Sequence, residues 1–358
     1  MSASPVYFTA VEKQDSQESV AKKLSLLLQE SGAFGFLSRG DSVAVKLHFG
    51  EEGNTGHVRP RYAGAVCRSL MAKGAHPFLC DTNTLYCGRR MVSAEHLKLA
   101  REHGFTKEAT GAEVLIPDDS LPENVLVVPI GARFIKQAKI ARVFGDADAL
   151  VGLAHFKGHM MTGFGGALKN IGMGCASREG KLAQHSDVSP RTIAQNCTGC
   201  GACVEVCPVS AITLVKNKSL IDSRLCIGCA SCIAACAFHA IDVQWEAGGD
   251  LIQEKMVEYA MAALRGKQRK AFFLNFALKI TKECDCLAKD DPAIAPDVGI
   301  FASSDPVSVD QASLDLVTQA AGKDVFRQAH PGRDAVKQLR HAESLGIGTR
   351  EYKLIRIS

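Results

Sequence analysis

The sequence predicts an α/β fold in which a largely parallel sheet domain is interrupted by a small inserted α+β unit. Three observations predict it. Near-continuous apolar segments alternate with amphipathic ones, the pattern of strands buried on both faces beneath covering helices. Eight of the 14 cysteines crowd between Cys197 and Cys236, where that alternation breaks off. Several apolar segments also end in clusters of lysine, histidine, asparagine and acid, as expected at the carboxyl ends of strands in an open α/β sheet, where ligands bind.

Upstream of the break, SVAVKLHF, HPFLCDT, AEVLI and DALVGLA are the apolar segments, with RPRYAGAVCRSLMAKG and SAEHLKLAREHG amphipathic between them. Downstream, LIQEKMVEYAMAALRG and PVSVDQASLDLVTQAAG read as helices, KAFFLNFAL and DVGIF as strands. The expected division is residues 1–188 and 246–358 for the two parts of the α/β domain and 189–245 for the insert. No internal repeat or low-complexity segment is visible.

Composition narrows the function. The chain has 358 residues, 46% hydrophobic and 22% charged, the balance of a soluble globular protein. No apolar run reaches the ~18 residues of a membrane span. The start, MSASPVYFTAVEKQD, has no basic region leading into a hydrophobic stretch, so the expected location is cytoplasmic. A net charge of +4, dispersed and with no basic block longer than RGKQRK, argues against nucleic acid as a partner. Without an export signal, 14 cysteines point to metal or redox chemistry rather than to a disulfide framework.

The first cysteine run is CTGCGACVEVCP, with Cys197, Cys200, Cys203 and Cys207; the second is CIGCASCIAAC, with Cys226, Cys229, Cys232 and Cys236. Both have the spacing C-x2-C-x2-C-x3-C. A pair of zinc sites is the alternative, but zinc takes four ligands from two CxxC pairs and leaves the third and fourth cysteines of each run unexplained. The spacing resembles that of two-cluster bacterial ferredoxins, over about 55 residues from Arg191 to Trp245. The resemblance makes the insert a ferredoxin-like domain with two [4Fe–4S] clusters, the fourth cysteine of each run reaching the other cluster. Cys197, Cys200, Cys203 and Cys236 would then hold one cluster, and Cys226, Cys229, Cys232 and Cys207 the second. Ala237 stands where the pattern usually has proline, which loosens a turn but removes no ligand. Two oxidised clusters, each about −2, would bring the formal charge near zero. The segment carries few acids (Glu205, Asp222, Asp242), unlike a freely diffusing carrier, which favours electron delivery within the chain.

Five expected strand ends carry polar groups. SVAVKLHF runs into GEEGNTGHVRP, giving Lys46, His48, Glu51, Asn54, His57 and Arg59. HPFLC runs into Asp81, Thr82 and Asn83. DALVGLA runs into HFKGHMMTGFGGALKN, giving His155, Lys157, His159, Lys169 and Asn170. FFLNFALKIT runs into ECDC, and DVGIF into ASSDP. Neither G-x-G-x-x-G nor a P-loop occurs, although the glycines before Lys169 could form an anion nest or simply a tight turn. Cys284 and Cys286, two apart, could share a metal, form a redox pair or be buried small hydrophobes. With His155, His159 and Cys175 they make a third metal or cluster site a further expectation. Cys67, Cys80 and Cys87 read as structural.

The strings VKLHFGEEGNTGHVRP, LAHFKGHMMTGFGGALKNIGMG and CDC…PDVGIFASSDPVSVDQASLD resemble domain-of-unknown-function family 362, often described as Fe–S centre proteins. That resemblance spans most of the chain and implies an iron–sulfur protein of anaerobic-type metabolism. The resulting expectation is an oxidoreductase whose two clusters carry electrons from a redox partner protein to a site in the α/β crevice. There Lys46, His57, Lys157, Lys169 and Asn170 would bind an anionic substrate or cofactor. His48, His155 or His159 would move protons, and Cys284 with Cys286 would hold a metal or act as a redox pair. Two alternatives are an electron-transfer module without its own substrate and a sulfur- or cluster-handling protein using the CDC pair.

Overall fold

The computed structural model describes residues 3–86, 88–185, 189–244 and 251–358. Cys87 and the expected domain boundaries at 188/189 and 245/246 lie outside the described residues.

An eight-stranded sheet organises the α/β part. Its strands are β1 (Ser4–Ala10), β2 (Ser42–Lys46), β3 (His76–Cys80), β4 (Glu113–Leu115), β5 (Ala149–His155), β6 (Ala271–Ala277), β7 (Gly299–Ser303) and β8 (Tyr352–Arg356). Their order across the sheet is β8-β1-β7-β6-β5-β2-β3-β4. Every neighbouring pair is parallel except the two that involve β7, which runs antiparallel to β1 and β6. The sheet is therefore mostly parallel, with one reversed strand.

Alternation along the strands feeds two cores. Val43, Val45, Leu274 and Phe276 join one face with Leu24, Val66 and Leu70. Ala44, Phe273 and Phe301 join the other with Phe156, Phe164 and Met256. Strands β5 and β6 are buried along their whole length, which is why they read as continuous apolar runs.

The helices that matter for the site are α1 (Gln17–Glu30), α2 (Pro60–Ala72), α3 (Ser93–Glu102), α4 (Ala167–Gly172), α5 (Arg178–His185), α6 (Ile252–Ala263) and α7 (Pro306–Ala321). Helix α7 shows the full punctuation: Asp305 accepts from the Val307 and Ser308 amides, Pro306 takes the first turn, and Gly322 closes it at φ 66°. Helices α4 and α6 approach closely at Gly172, where a Cβ would lie 2.2 Å from the Met256 carbonyl oxygen.

Residues 189–244 form a small unit of two short antiparallel pairs, Arg191–Thr192 with Ile241–Asp242 and Ile212–Val215 with Lys218–Ile221, and two one-turn helices. The unit is internally repeated, contrary to the sequence reading. Gly199 and Gly228 have φ of 72° and 71°, Gly201 and Ala230 85° and 59°, Ser210 and His239 52° and 49°. The repeat is written in backbone angles and cysteine spacing. Identity persists at the cysteines and at Gly199/Gly228, Ala211/Ala240 and Ile212/Ile241, a signal confined to the paired cysteine runs and too short to read as a domain-scale repeat.

Candidate functional site

Four of the five polar strand ends converge. Residues following β2, β3, β5 and β6 surround a cavity of about 430 Å³, lined among others by Lys46, His48, His155, Lys157, His159, Lys169, Asn170, Cys284 and Cys286. The fifth end does not reach it. Because β7 is reversed, its carboxyl end lies at the opposite edge of the sheet, where Asp305 caps α7 and accepts from Ser4 and Thr349. His57 also departs from expectation: it is buried beside His103, ring centroids 4.8 Å apart, and lines a smaller cavity of about 190 Å³ with Arg59 and Lys279.

Most cations at the main cavity are already matched. Lys46 Nζ donates to Asn170 Oδ1 and the Leu47 carbonyl, both at 3.1 Å, and pairs with Asp81 at 2.9 Å. Asn170 returns its amide to the Lys46 and Leu153 carbonyls, tying α4 to β2 and β5. Lys157 Nζ donates to the His155 carbonyl at 2.8 Å and sits 3.6 Å from Asp285. His155 Nδ1 meets Asp285 at 2.9 Å and Nε2 meets the Leu278 carbonyl at 3.0 Å, so both its ring nitrogens are engaged. Burial works against the Asp285 carboxylate, yet His155 and Lys157 hold it well below the usual range. Lys169 alone of these lysines donates to no acceptor among the described residues.

The expected anion nest before Lys169 is filled from within. Asp310 accepts from the Ala167 amide at 2.7 Å and the Leu168 amide at 3.0 Å, and Asn275 donates to it at 2.7 Å. A Cβ at Gly166 would lie 2.2 Å from the same carboxylate.

Two histidines carry the same device. The Gly50 amide donates to His48 Nδ1 at 2.9 Å, and the Met161 amide donates to His159 Nδ1 at 3.2 Å. An Nδ1 that accepts carries no proton, so each neutral ring keeps its proton on Nε2. Burial, reinforced by Arg90 at His48 and Lys169 at His159, pushes both imidazoles below their usual range. His48 Nε2 lies 3.5 Å from Cys286 Sγ. Cys284 as a neighbouring donor, with Lys169 and His48, pushes Cys286 well below the usual thiol range, while Cys286 and burial push Cys284 well above it.

Arg90, Lys181 and His185 also line the cavity. Sequence reasoning missed them because Arg90 sits in the short turn Arg89–Met91 and Lys181 and His185 on a short helix, none at a strand end and none with distinguishing spacing. Arg90 bonds Glu51 at 3.1 Å and contacts Tyr86. Lys181 donates to Thr82 Oγ1 at 2.5 Å and to the Asn83 carbonyl, and burial brings it down to about 8. Cys175 does not join the cavity lining; it sits in the core with its thiol raised by burial to about 12, like Cys67.

The cysteine runs form two quartets. Cys197, Cys200, Cys203 and Cys236 line one hollow, and Cys207, Cys226, Cys229 and Cys232 line another. These eight are all free thiols. Backbone amides aim at sulfurs in matching positions: Ala211 donates to Cys207 Sγ and Ala240 to Cys236 Sγ, both at 3.2 Å. Among the described residues, no three His, Cys, Asp or Glu side chains converge on the position of a single metal ion. Leu182 of α5 packs with the cysteine unit and lies 3.8 Å from the Cβ position of Gly228, whereas Lys181 and His185 of the same helix line the cavity.

A family model described as Domain of unknown function (DUF362) matches residues 43–315, and the chain belongs to that family. No curated protein matches the chain. Among solved structures, the lactate racemase apoprotein from Thermoanaerobacterium thermosaccharolyticum is similar at 13% identity and TM-score 0.44, over 87% of this chain and 57% of that one. A Thermotoga maritima structural-genomics target is similar at 14% identity and TM-score 0.42, over 85% of this chain and 59% of that one. The chain thus spans less than two thirds of either. No described helix is long and apolar enough to cross a membrane.

Proposed function

For this DUF362 protein we propose an iron–sulfur oxidoreductase that takes electrons from a partner protein through two [4Fe–4S] clusters to the cavity at the strand ends. The observation that carries this reading is the pair of quartets, each drawing three cysteines from one run and the fourth from the other around its own hollow. A structural zinc site would instead gather its four sulfurs about one ion at about 2.3 Å, and no such convergence is present among the described residues. Amides aimed at sulfur and left-handed turns at Gly199, Gly201 and Gly228 suit thiolates that ligate a cluster. The clusters would supply one-electron transfer. The protein's own contribution is position: α5 touches the second quartet's loop through Leu182 and the cavity through Lys181 and His185.

The partner would meet the cysteine unit, whose surface exposes Leu214, Val215, Leu220, Leu225, Ile227 and Phe238. That apolar surface is also what favours the second reading, an electron-transfer module docked between two proteins. Iron and acid-labile sulfide on anaerobically purified protein test the cluster assignment: about eight of each per chain is expected. Zinc in place of iron refutes it. About twelve of each places a third cluster outside the insert.

A further inference from the structure

The thiol pair Cys284 and Cys286 is placed for exchange with a substrate. Both line the main cavity, Cys284 buried and Cys286 half-buried, while the intervening Asp285 turns away into its pairing with His155 and Lys157. Cys286 Sγ lies 3.5 Å from Nε2 of His48, whose orientation is fixed by the Gly50 amide. Lys169, whose charge acts on Cys286, is the lysine that donates to no hydrogen-bond acceptor among the described residues. Apolar side chains, among them Leu85, Met161, Met173, Ile252, Met256 and Leu287, line the cavity between these polar groups.

We propose that Cys286 and Cys284 are the nucleophile and the resolving thiol for a sulfur–sulfur bond in a small substrate with an apolar body and one anionic group, which Lys169 binds. This deepens the oxidoreductase reading, on which it rests for the source of electrons. The Cys286 thiolate attacks one substrate sulfur, forming a mixed disulfide and releasing the other half as a thiolate, which takes a proton from water. The Cys284 thiol then loses its proton and attacks Cys286 Sγ, releasing the second half as a thiol. The substrate has gained two electrons and two protons, and the protein holds a Cys284–Cys286 disulfide. A one-electron carrier protein, acting twice, supplies the two electrons that restore the dithiol, with two protons from solvent. The single anionic group follows from the saturated state of Lys46, Lys157 and Lys181, which leaves Lys169, whose main charge partner is Cys286 itself, to meet an added negative charge once Cys286 is held in the mixed disulfide.

The test uses two symmetrical disulfide probes on the iron-loaded protein under anaerobic conditions: anionic dithiobis-nitrobenzoate and neutral dithiodipyridine. Peptide mass across residues 284–286 is the readout, together with released aromatic thiol. The wild-type protein is expected to release two thiols and end with a 284–286 disulfide. Cys284→Ser should release one and stop at an adduct on Cys286, and Cys286→Ser should give neither product at this peptide. Lys169→Ala should slow the anionic probe about tenfold more than the neutral one, the effect of losing one close charge contact.

A wild-type peptide that stays a dithiol, or a Cys284→Ser protein without the Cys286 adduct, overturns the exchange. Equal slowing of both probes by Lys169→Ala overturns the anion contact. Exchange consumes no cluster electrons, so its outcome is independent of the iron and sulfide count. If exchange occurs but dithionite-reduced protein does not regain the dithiol, the electron-delivery reading fails and the exchange stands.

Discussion

The molecule holds cysteines in two ways, and the contrast is instructive. In residues 189–244 the sulfurs are met by backbone amides from left-handed turns, with Cys200 exposed and Cys207, Cys226 and Cys229 half-buried. At 284–286 the sulfurs meet side chains, His48 and a neighbouring thiol, deep beside lysines. Amides carry no net charge and cannot lose a proton, so they suit ligands of a charged inorganic group that must not be protonated away. A thiol met by side-chain donors at a cavity wall is not committed to a ligand and stays open to exchange.

The contrast breaks if one set of cysteines can be altered only at the expense of the other. Cys229→Ser is expected to halve bound iron, from about eight to about four per chain, while leaving alkylation of Cys286 at neutral pH as fast as in the wild type. Metal analysis and the rate of iodoacetamide labelling at that peptide check it. Loss of Cys286 labelling would show that the two sets are a single system.

Asp285→Asn attacks the side-chain-held set from behind. The carboxylate is buried and pairs with His155 and Lys157, so removing its charge leaves a buried cation uncompensated, at about 3–5 kcal/mol. A large drop in thermal midpoint with iron content unchanged is the expected result. A midpoint within a degree or two of the wild type would mean that the pair is not coupled to folding.

Acid should also distinguish the two regions. Burial, with His103 for His57 and Lys169 for His185, depresses both imidazoles to about 3. The unfolded chain binds these protons from about pH 6.5 downward and the folded one does not, so their stabilisation is full above about 6.5 and is lost as pH falls toward about 3. For His57 alone the loss at about pH 5 is about 2 kcal/mol. His57→Gln should therefore flatten the acid limb of thermal midpoint against pH. An unchanged slope would remove His57 from the account.

The smallest effect lies inside the repeat. Ala230 occupies the left-handed position that glycine holds at 201, with φ of 59° against 85°. Ala230→Gly should gain up to about 1 kcal/mol and Gly201→Ala should lose a similar amount, read as shifts in denaturation midpoint of the iron-loaded protein.

Much of this was readable from the chain. The alternation of apolar and amphipathic segments marked β2, β3, β4, β5, β6 and β7 and helices α2, α3, α6 and α7, because burial on both faces leaves a composition signal. Strands β1 and β8 were not marked: they pair with each other across nearly the whole sequence, and YKLIR carries two charges on an edge. Strand ends foretold Lys46, His48, His155, Lys157, His159, Lys169, Asn170, Cys284 and Cys286 at one cavity. They misplaced the DVGIF end because strand direction is set by neighbours and not by residue type. The saturation of the lysines was invisible for a similar reason, since Asn170 and Asp285 meet their partners more than a hundred residues away.

The connection between cavity and cysteine unit has a mechanical consequence. The chain leaves the cavity wall at His185, the last residue of α5, and re-enters it at Ile252, the first residue of α6. Between them, Arg191–Thr192 pairs with Ile241–Asp242 as a clasp at the neck of the excursion. With the clasp shut, five residues of sequence separate α5 from the clasp and nine separate the clasp from α6. With it open, they are joined by one long slack loop whose closure costs (3/2)RT ln n in chain entropy. Order within the excursion therefore lowers the chain entropy lost when α5 and α6 are brought together at the cavity wall.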